Sequence, residues 1–336
     1  MEVLAGDIGG TKTNLGIFDV QHHQVLPMIE STWASSDFNS LEEVIAQFLE
    51  QVQSYDNKLQ ITSACFGIAG PVSGNRCSVT NLPWVVDGQR IQQQFGWQSL
   101  NLLNDLEANA WGIAALDKED FISLNKGNEV LGNASIISAG TGLGEAGLFW
   151  DGRQHIPFAS EGGHTDFSPV TEKEYRLYQF LNKKYDGHVS WERIVSGMGL
   201  VNLYQFLCYE ENVHPPVWLA QQIQEGAAAA ISNAAINKKD PLCEQALDWF
   251  VHLYGVETGN HALKIMSKGG VFIGGGIAPK IINKMQSGVF IKAFISKGRM
   301  QPLLEYMPVK VIMNDKTALY GPALYAGRLY RSKNKA

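Results

Sequence analysis

Two glycine-rich turns carry the residues of this chain that are best suited to hold a phosphate. In the first, an apolar run leads to Asp7, the glycines Gly9 and Gly10 form a turn with Thr11, and a second apolar run leads to Phe18. Apolar runs on both sides of such a turn predict a β-hairpin. Glycine lets backbone N–H groups approach a polyanion because it has no Cβ. The turn therefore fits a phosphate, with Asp7 facing a magnesium ion across it; a plain tight hairpin with a surface aspartate is the alternative.

The same plan returns at residues 136–151. An apolar run leads to a turn of Gly140, Thr141 and Gly142, and a second apolar run follows. Two such hairpins, well over a hundred residues apart, indicate a duplicated fold of two lobes with a cleft between them. The glycines of this segment also match G-x-G-x-x-G, but that fingerprint must open a helix. Residues 146–150 have an extended pattern, so we reject a dinucleotide-binding helix here.

Polar side chains follow apolar segments at three further places. Asn104 and Asp105 end a short apolar strand and precede an alanine-rich helix, so helix capping is their simplest explanation. Glu161 and His164 flank two glycines, which argue against a helix and for a loop whose polar side chains meet a hydrogen-bonding ligand. Glu192 lies near a predicted helix start and indicates little by itself.

Strands and helices must position these residues. Ser40 and Glu43 match a capping box ahead of an amphipathic helix over 41–53. A buried strand beginning at Gly270 leads into a triple-glycine loop at 274–276, where bare backbone leaves room for a ribose or a flat ring. Further strands are predicted over 61–69 and 309–313, and further helices over 222–237, 242–265 and 316–328. The mixture of these elements predicts an α/β protein.

Composition narrows the class of ligand and the compartment. With 336 residues, 45% of them hydrophobic, the chain can bury a large core in two lobes. A formal net charge of −6 argues against a nucleic-acid partner and against an anionic membrane surface. The four cysteines have no metal-binding spacing, so we expect buried reduced thiols and no structural metal. We find no signal peptide and no run that could span a bilayer, and we expect a cytoplasmic protein.

Taken together, the motifs resemble those of bacterial ATP-dependent glucokinases in the actin, hexokinase and Hsp70 superfamily. The resemblance runs from about Gly6 to Leu324. It implies an α/β, ribonuclease-H-like (actin-like ATPase) duplicated fold, with residues 1–110 and 315–336 in a small lobe, 111–314 in a large lobe, and sugar and ATP in the central cleft. The matching segments are G-D-I-G-G-T at 6–11, L-N-D at 103–105, G-T-G-L-G at 140–144, E-G-G-H at 161–164, E-R-I-V-S-G at 192–197, G-L-V-N-L-Y at 199–204 and G-G-G at 274–276.

The resemblance also implies a reaction and a role for each matching residue. The reaction is transfer of the γ-phosphoryl group of ATP to the 6-hydroxyl of D-glucose, with Asp105 as general base and Mg²⁺ held with ATP near Asp7 through water. A homodimer is consistent with the family. Glu145, a charge after the second turn, departs from the family pattern and has no assigned role. The sugar-binding residues would be Asn104, Glu161, His164 and Glu192, and the ATP-binding residues Gly6, Asp7, Ile8, Gly9, Gly10, Thr11, Gly140, Thr141 and Gly275.

Two other functions remain open at this point. A kinase for another hexose or an N-acetylhexosamine would use the same turns and the same base. A non-enzymatic actin-like nucleotide-binding protein would share the glycine turns but has no reason to keep Glu161, His164 and Glu192 together. Protein kinases and P-loop enzymes are excluded because their motifs are absent from the sequence.

Overall fold

The computed structural model describes residues 1–21, 24–55 and 59–333. In chain order its strands are β1 (Glu2–Ile8), β2 (Lys12–Gln21), β3 (Gln24–Ala34), β4 (Ser63–Ile68), β5 (Val72–Ser73), β6 (Arg76–Ser78), β7 (Val85–Asp87), β8 (Ser99–Asn104), β9 (Phe121–Asn125), β10 (Ala134–Ala139), β11 (Leu143–Trp150), β12 (His155–Ser160), β13 (Gly270–Gly274) and β14 (Val309–Ile312). Its helices are α1 (Leu41–Tyr55), α2 (Gly88–Phe95), α3 (Asp105–Gly112), α4 (Glu172–Lys184), α5 (Gly197–Glu210), α6 (Val217–Ile236), α7 (Pro241–Ile265), α8 (Ile282–Met285), α9 (Val289–Ile295), α10 (Gln301–Glu305) and α11 (Thr317–Lys333).

The chain divides into two compact units. The first unit is Met1–Asp120 with Asn314–Ala336, and the second is Phe121–Met313. The sequence predicted a small lobe of residues 1–110 and 315–336 and a large lobe of residues 111–314. The first unit continues through the end of α3 because α3 packs closely on α11: a Cβ on Gly321 would lie 1.7 Å from the Ala108 carbonyl oxygen.

A five-stranded mixed sheet forms the centre of the first unit. Its order is β3-β2-β1-β4-β8, with β1, β4 and β8 parallel and β2 and β3 antiparallel to their neighbours. The register pairs Ile8 with Ile68 and Ile68 with Asn104, so the carboxyl ends of three parallel strands meet at one edge. The predicted first hairpin is confirmed as β1–β2, and its turn lies at that edge. Ligands bind at such edges in α/β folds.

Helices cover both faces of this sheet. Side chains alternate between the faces along β1, so Leu4 packs with α1 while Val3 and Ala5 pack with α3 and α11. The buried stripe of α1 has the helical spacing that the sequence indicates, and α1 extends two residues beyond the predicted end. The stripe consists of Leu41, Val44, Ile45, Phe48 and Val52.

The second unit repeats the plan of the first. Its sheet has the order β12-β11-β10-β13-β14-β9. Three antiparallel strands, β12, β11 and β10, are followed by parallel β13 and β14, as in the first sheet, and β9 adds an antiparallel edge. The hydrophobic core lies against α5, α6 and α7. The predicted second hairpin is confirmed as β10–β11, and β11 is extended, as the rejection of a dinucleotide helix requires.

Some local predictions need correction. Ser40 accepts a hydrogen bond from Glu43 N at 3.3 Å, as a capping box requires. The Glu43 carboxylate, however, accepts from the backbone N–H of Asn39 at 2.8 Å, one residue before the Ser40 N–H that a capping box would use. The helix predicted from residue 222 begins at Val217 and is kinked at Gly226. Within the described residues no helix is long and apolar enough to cross a bilayer. All four cysteines are buried and none forms a disulfide.

Candidate active site

The turn of the first hairpin is held from inside the first unit. Gly9 N donates to Lys12 O at 2.9 Å, which closes the turn. Ser35, which follows β3, donates through its hydroxyl to Gly9 O at 2.8 Å and through its backbone to Thr11 O at 3.0 Å. The Ser35 hydroxyl also lies 3.0 Å from the buried Thr13 hydroxyl. These bonds fix the turn backbone before any ligand binds, which is the preorganisation that anion binding needs.

Asp7 stands beside this turn on β1. Its cross-strand partner Asn14 donates to Asp7 Oδ2 at 3.2 Å, and Thr32 in turn donates to Asn14 Oδ1 at 2.8 Å. Burial raises the pKa of Asp7 to about 6; the Asn14 bond opposes this rise, and the charge of Asp105 adds to it. The ionised form of Asp7 is therefore held in a place where it lacks compensating positive charge.

Asn104 and Asp105 occupy the same sheet edge. Asn104 Oδ1 accepts from Leu106 N at 2.9 Å, which confirms it as the N-cap of α3. Its Nδ2 donates to Gly70 O at 3.3 Å, and since an amide nitrogen carries two hydrogens, a ligand oxygen can bind the second. Asp105 is the first residue of α3, and its charge raises the pKa of both Asp7 and Cys77. The first unit thus brings Asp7 and Asp105 close together.

The turn of the second hairpin has corresponding supports in the second unit. Gly140 N donates to Gly142 O at 2.9 Å, and Gly140 O accepts from Gly197 N, at the start of α5, at 2.8 Å. Gly275 follows β13 with a φ of +81°, and a Cβ there would lie 2.4 Å from Ala139 O. Only glycine satisfies both conditions, so the triple-glycine loop lies directly against the strand that leads into the turn.

Three predicted sugar-binding side chains meet in the second unit. His164 Nδ1 lies 3.8 Å from Glu161 Oε2, and His164 Nε2 lies 3.8 Å from Glu192 Oε1. Glu161 and His164 are exposed, with 77% and 60% of their side chains accessible, whereas Glu192 is 19% accessible. Two carboxylates and an imidazole in this arrangement offer several acceptors and donors to a polyhydroxylated ligand.

Glu192 also contacts the phosphate-type turn. Its second carboxylate oxygen, Oε2, accepts from Leu143 N at 3.1 Å, and a Cβ on Gly142 would lie 2.4 Å from the same oxygen. One side chain therefore joins the loop of His164 to the turn of the second hairpin. This contact places a hydroxyl-binding cluster directly beside a glycine turn suited to phosphate.

Backbone contacts hold the two loops of this cluster together. Each loop contains a short 3-10 turn, Gly162–His164 or Trp191–Arg193. Trp191 N donates to Thr165 O at 3.0 Å, and the rings of Phe167 and Trp191 meet edge to face with centroids 5.0 Å apart. Buried Asn202 donates to Arg193 O at 2.7 Å, which fixes the far end of the second turn. The cluster therefore rests on packed structure.

Comparison with known proteins gives a consistent result along the whole chain. The family model described as Glucokinase matches residues 4–329. The chain belongs to the glucokinase family. It is 42% identical to a glucokinase of Nostoc sp., over 97% of this chain and 99% of the relative, and 38% identical to one of Synechocystis sp., over 97% and 98%. A crystal structure of glucokinase from an Antarctic psychrotroph superposes with a TM-score of 0.85 at 28% identity, covering 97% of this chain and 99% of that one.

Solved structures also confirm the fold class predicted from the sequence. A glucokinase from Balamuthia mandrillaris, solved in complex with glucose, shares the fold with a TM-score of 0.75 at 21% identity. The α/β, actin-like ATPase fold that the family resemblance implied is therefore the fold of this glucokinase-family chain. The sheets show the duplication directly, since each begins with three antiparallel strands followed by two parallel ones.

The structure sorts the predicted site residues into two groups, one in each unit. Most of them lie in or next to the two hairpin turns, at the ends of β8, β12 and β13, or in the short 3-10 turns Gly162–His164 and Trp191–Arg193. The first unit contains Gly6, Asp7, Ile8, Gly9, Gly10, Thr11, Asn104 and Asp105, and the second contains Gly140, Thr141, Glu161, His164, Glu192 and Gly275.

Residues that support the site were missed by sequence reasoning. Asn14 holds Asp7, and the hairpin itself carried a signal for it, because a turn at Gly9–Gly10 pairs Asp7 with Asn14 across the strands. Ser35 pins the first turn but follows it by 26 positions, with no local pattern to mark it. Glu145 proves to be 1% exposed and bound to His261, a contact that spans the second unit.

The first unit has a chemical reason to attract a cation. Asp7 is a buried carboxylate, and the nearby charge of Asp105 further disfavours its ionised form. A divalent cation near Asp7 would offset the cost of its buried negative charge and the repulsion from Asp105. The residues therefore fit Mg²⁺ that binds together with a nucleotide. Within the described residues no group of three or more histidine, cysteine or acidic side chains could hold a metal. An ion near Asp7 would therefore take most of its ligands from water and phosphate, as Mg²⁺ commonly does.

Proposed function

We propose that this chain phosphorylates the 6-hydroxyl of D-glucose with ATP, producing glucose 6-phosphate and ADP. Membership of the glucokinase family supports the reaction class. The observation that carries the proposal is the double contact of Glu192, with His164 on one side and Leu143 N in the glycine turn on the other. A sugar hydroxyl held by Glu161, His164 and Glu192 then lies beside a turn that accepts phosphate.

The two units correspond, in this proposal, to the small and large lobes of the family. The first unit supplies the base and the first phosphate-binding turn. The second unit supplies the hydroxyl-binding cluster, the second turn and the triple-glycine loop. This assignment gives every predicted site residue a role.

Phosphoryl transfer of this kind depends mainly on alignment and on neutralisation of charge. Asp105 orients the 6-hydroxyl and accepts its proton as the new O–P bond forms. Asn104 binds a sugar hydroxyl through Nδ2 while its Oδ1 caps α3. Backbone N–H groups of the two glycine turns stabilise charge on the transferring phosphoryl group. Mg²⁺, where bound with ATP near Asp7, would neutralise phosphate charge.

A cavity in the second unit fits the remaining part of the nucleotide. It has a volume of about 490 Å³ and is lined by α6 residues that include Trp218, Gly226 and Ala229. Ala228, next to that lining, is 3.5 Å from where a Cβ on Gly197 would lie, and Gly140 O is equally close to that point. We assign this cavity to the base of the nucleotide, because α6, which lines it, also approaches Gly140 in the second turn through Ala228.

ADP release by the purified protein tests the function. The assay contains Mg·ATP with glucose, fructose, mannose, N-acetylglucosamine or no sugar. Strong release with glucose alone supports the proposal. Release with another sugar moves the substrate and keeps the mechanism, and release without sugar points to the nucleotide-binding alternative of the actin type.

A pair of isosteric variants tests the base. We expect Asp105→Asn to lose about 10²- to 10⁴-fold in kcat, roughly 3 to 5 kcal/mol, with glucose affinity largely kept. Glu107→Gln is the matched control, because it removes a second carboxylate from the same turn of α3. The charge of Glu107 raises the pKa of Cys65 and Tyr325, whereas the charge of Asp105 raises that of Asp7. Normal turnover by folded Asp105→Asn protein would overturn the assignment.

The proposal has three further parts: a metal ion, an oligomeric state and a cellular location. Mg²⁺ accompanies ATP, supported by the paired carboxylates of the first unit. A homodimer follows from the family resemblance, and sedimentation equilibrium tests it. The cytoplasm is the expected location, supported by four buried cysteines outside any disulfide, which suit a reducing compartment.

A further inference from the structure

Glu145 is a buried carboxylate with no part in the proposed chemistry. It lies on β11, is 1% exposed and faces the interior of the second unit. A carboxylate in such a place is costly unless hydrogen bonds or opposite charge compensate it. Its neighbours therefore indicate what it is for.

One set of neighbours belongs to the loop of Glu161 and His164. Ser160 donates through its hydroxyl to Glu145 O at 2.8 Å and accepts from Gly162 N at 3.3 Å. A Cβ on Gly162 would lie 2.1 Å from Glu145 Oε2, so the loop backbone rests directly on this carboxylate. The side chain of Glu145 thus forms the floor of the loop that carries the proposed sugar ligands.

The other neighbours come from α7. Glu145 Oε2 lies 3.1 Å from His261 Nδ1, and His261 Nε2 lies 3.1 Å from Ala146 O. A carbonyl only accepts, so Nε2 carries a hydrogen, and one more hydrogen lies between Nδ1 and the carboxylate. Both sides of the imidazole are therefore bound, and α7 is tied to β11 at two successive residues.

Glu257, one turn before His261 on α7, completes the cluster. It is fully buried, and burial together with the charge of Glu145 raises its pKa to about 7. Among the described residues no donor lies within hydrogen-bond distance of Glu145 Oε1 or Glu257 Oε1. A proton shared between the two carboxyl groups satisfies both, which is the usual solution for paired carboxyl groups in an interior.

Cations and an amide surround the outer side of Glu257. Asn260 donates to Glu257 Oε2 at 2.8 Å, and Lys264 Nζ lies 3.7 Å from Glu257 Oε1. Lys297, after α9, donates to Asn260 Oδ1 at 2.6 Å and adds its positive charge nearby. The cluster is thus fixed at its far end, and Glu145 is the end that reaches the loop.

We propose that Glu145, fixed by His261 and Glu257, is a positioning residue. Its carboxylate supports the backbone of the loop Glu161–His164 and so fixes the position of that loop for sugar binding. This inference rests on the proposed function, since it concerns the same loop. It also gives a role to the one charge near the second turn that departs from the family pattern. Glu145 touches the loop backbone and acts on sugar through Glu161 and His164.

A double-mutant cycle tests the contact between loop and carboxylate. Gly162→Ala adds a methyl group where Glu145 Oε2 lies, so we expect the KM for glucose to rise about 10- to 100-fold. Glu145→Ala removes the floor of the loop and should raise the same KM, with a change of less than about twofold in the KM for ATP. The double variant should be less impaired than the product of the two single effects, because the clash needs the carboxylate.

The control is Thr258→Val, which changes a buried polar residue next to Glu257. Its hydroxyl donates only to Tyr254 O within α7, at 2.7 Å, so it reports on general disturbance of the helix. Multiplicative effects in the double variant would overturn the proposal. The proposal would also be overturned if Glu145→Ala changed kcat and the KM values of both substrates together. Thr258→Val shows what a purely structural disturbance of α7 does to the same three parameters.

Hydrogen exchange separates this inference from the proposed function. The amides of His164 and Thr165 donate within the loop to Glu161 O and Gly162 O, each at 3.0 Å, and can be followed without sugar. Faster exchange at these amides in Glu145→Ala, but not in Thr258→Val, supports the positioning role even if wild type phosphorylates no sugar. Unchanged exchange in Glu145→Ala overturns it even if wild type proves active on glucose.

Discussion

Glu192 is the residue whose removal most sharply tests the proposed site. It contacts His164 through Oε1 and Leu143 N through Oε2, so Glu192→Ala acts on the sugar cluster and on the phosphate turn at once. The side chain is 19% accessible, and its bonds are therefore only weakly screened by solvent. We expect both substrates to register the loss.

The size of the effect follows from the two contacts. A hydrogen bond to a charged group contributes about 1.5 to 3 kcal/mol, so losing the bond to Leu143 N should cost ATP use about 10- to 150-fold in kcat/KM. A lost bond to a sugar hydroxyl costs a similar amount. Together they predict a fall of about 10²- to 10⁴-fold in kcat/KM for glucose.

Steady-state kinetics with each substrate varied in turn measures these effects. Glu161→Ala is the matched control, because Glu161 is 77% accessible, its carboxylate lies 3.8 Å from His164, and among the described residues no hydrogen bond joins that carboxylate to the turn. It should lower kcat/KM for glucose and leave the KM for ATP unchanged. If Glu192→Ala and Glu161→Ala alter the ATP parameters equally, the proposed link between sugar cluster and turn is wrong.

Three further predictions concern single groups. The pKa of Glu257 is raised from 4.5 to about 7 in the folded protein, so the free energy of unfolding should fall as pH rises through that interval. In urea unfolding, Glu257→Gln should be more stable than wild type by about 3 kcal/mol at pH 8 and equally stable near pH 4.5. Equal stability of the two proteins at pH 8 would contradict this. Asp7→Asn should need about 10- to 100-fold more Mg²⁺ in a titration at fixed ATP, and an unchanged requirement would place the ion elsewhere. Gly321→Ala puts a Cβ 1.7 Å from Ala108 O and should destabilise the chain by about 1 to 3 kcal/mol in thermal unfolding, whereas an unchanged Tm would contradict the close packing of α3 on α11.

Local sequence patterns determined much of this protein. The two hairpins and the buried stripe of α1 depend on turn chemistry and on the periodicity of neighbouring residues, which can be read without long-range contacts. The N-cap role of Asn104 is equally local, since its Oδ1 accepts from the nearby backbone N–H groups of Leu106 and Glu107. The order and spacing of several weak motifs then indicated the family, which the comparisons confirmed.

Tertiary structure decided which of these residues touch. Glu192 and Leu143 are 49 positions apart, and only the contact of the turn Trp191–Arg193 with the start of β11 shows that one carboxylate serves two parts of the site. The pKa of Asp7 depends on Asp105, which reaches it because β1 and β8 end at the same sheet edge. Glu145 had the sequence pattern of a charge near phosphate, yet α7 brings His261 and Glu257 to it and makes it a buried support. Burial and charge pairing arise from contacts between distant segments, and no local pattern encodes them.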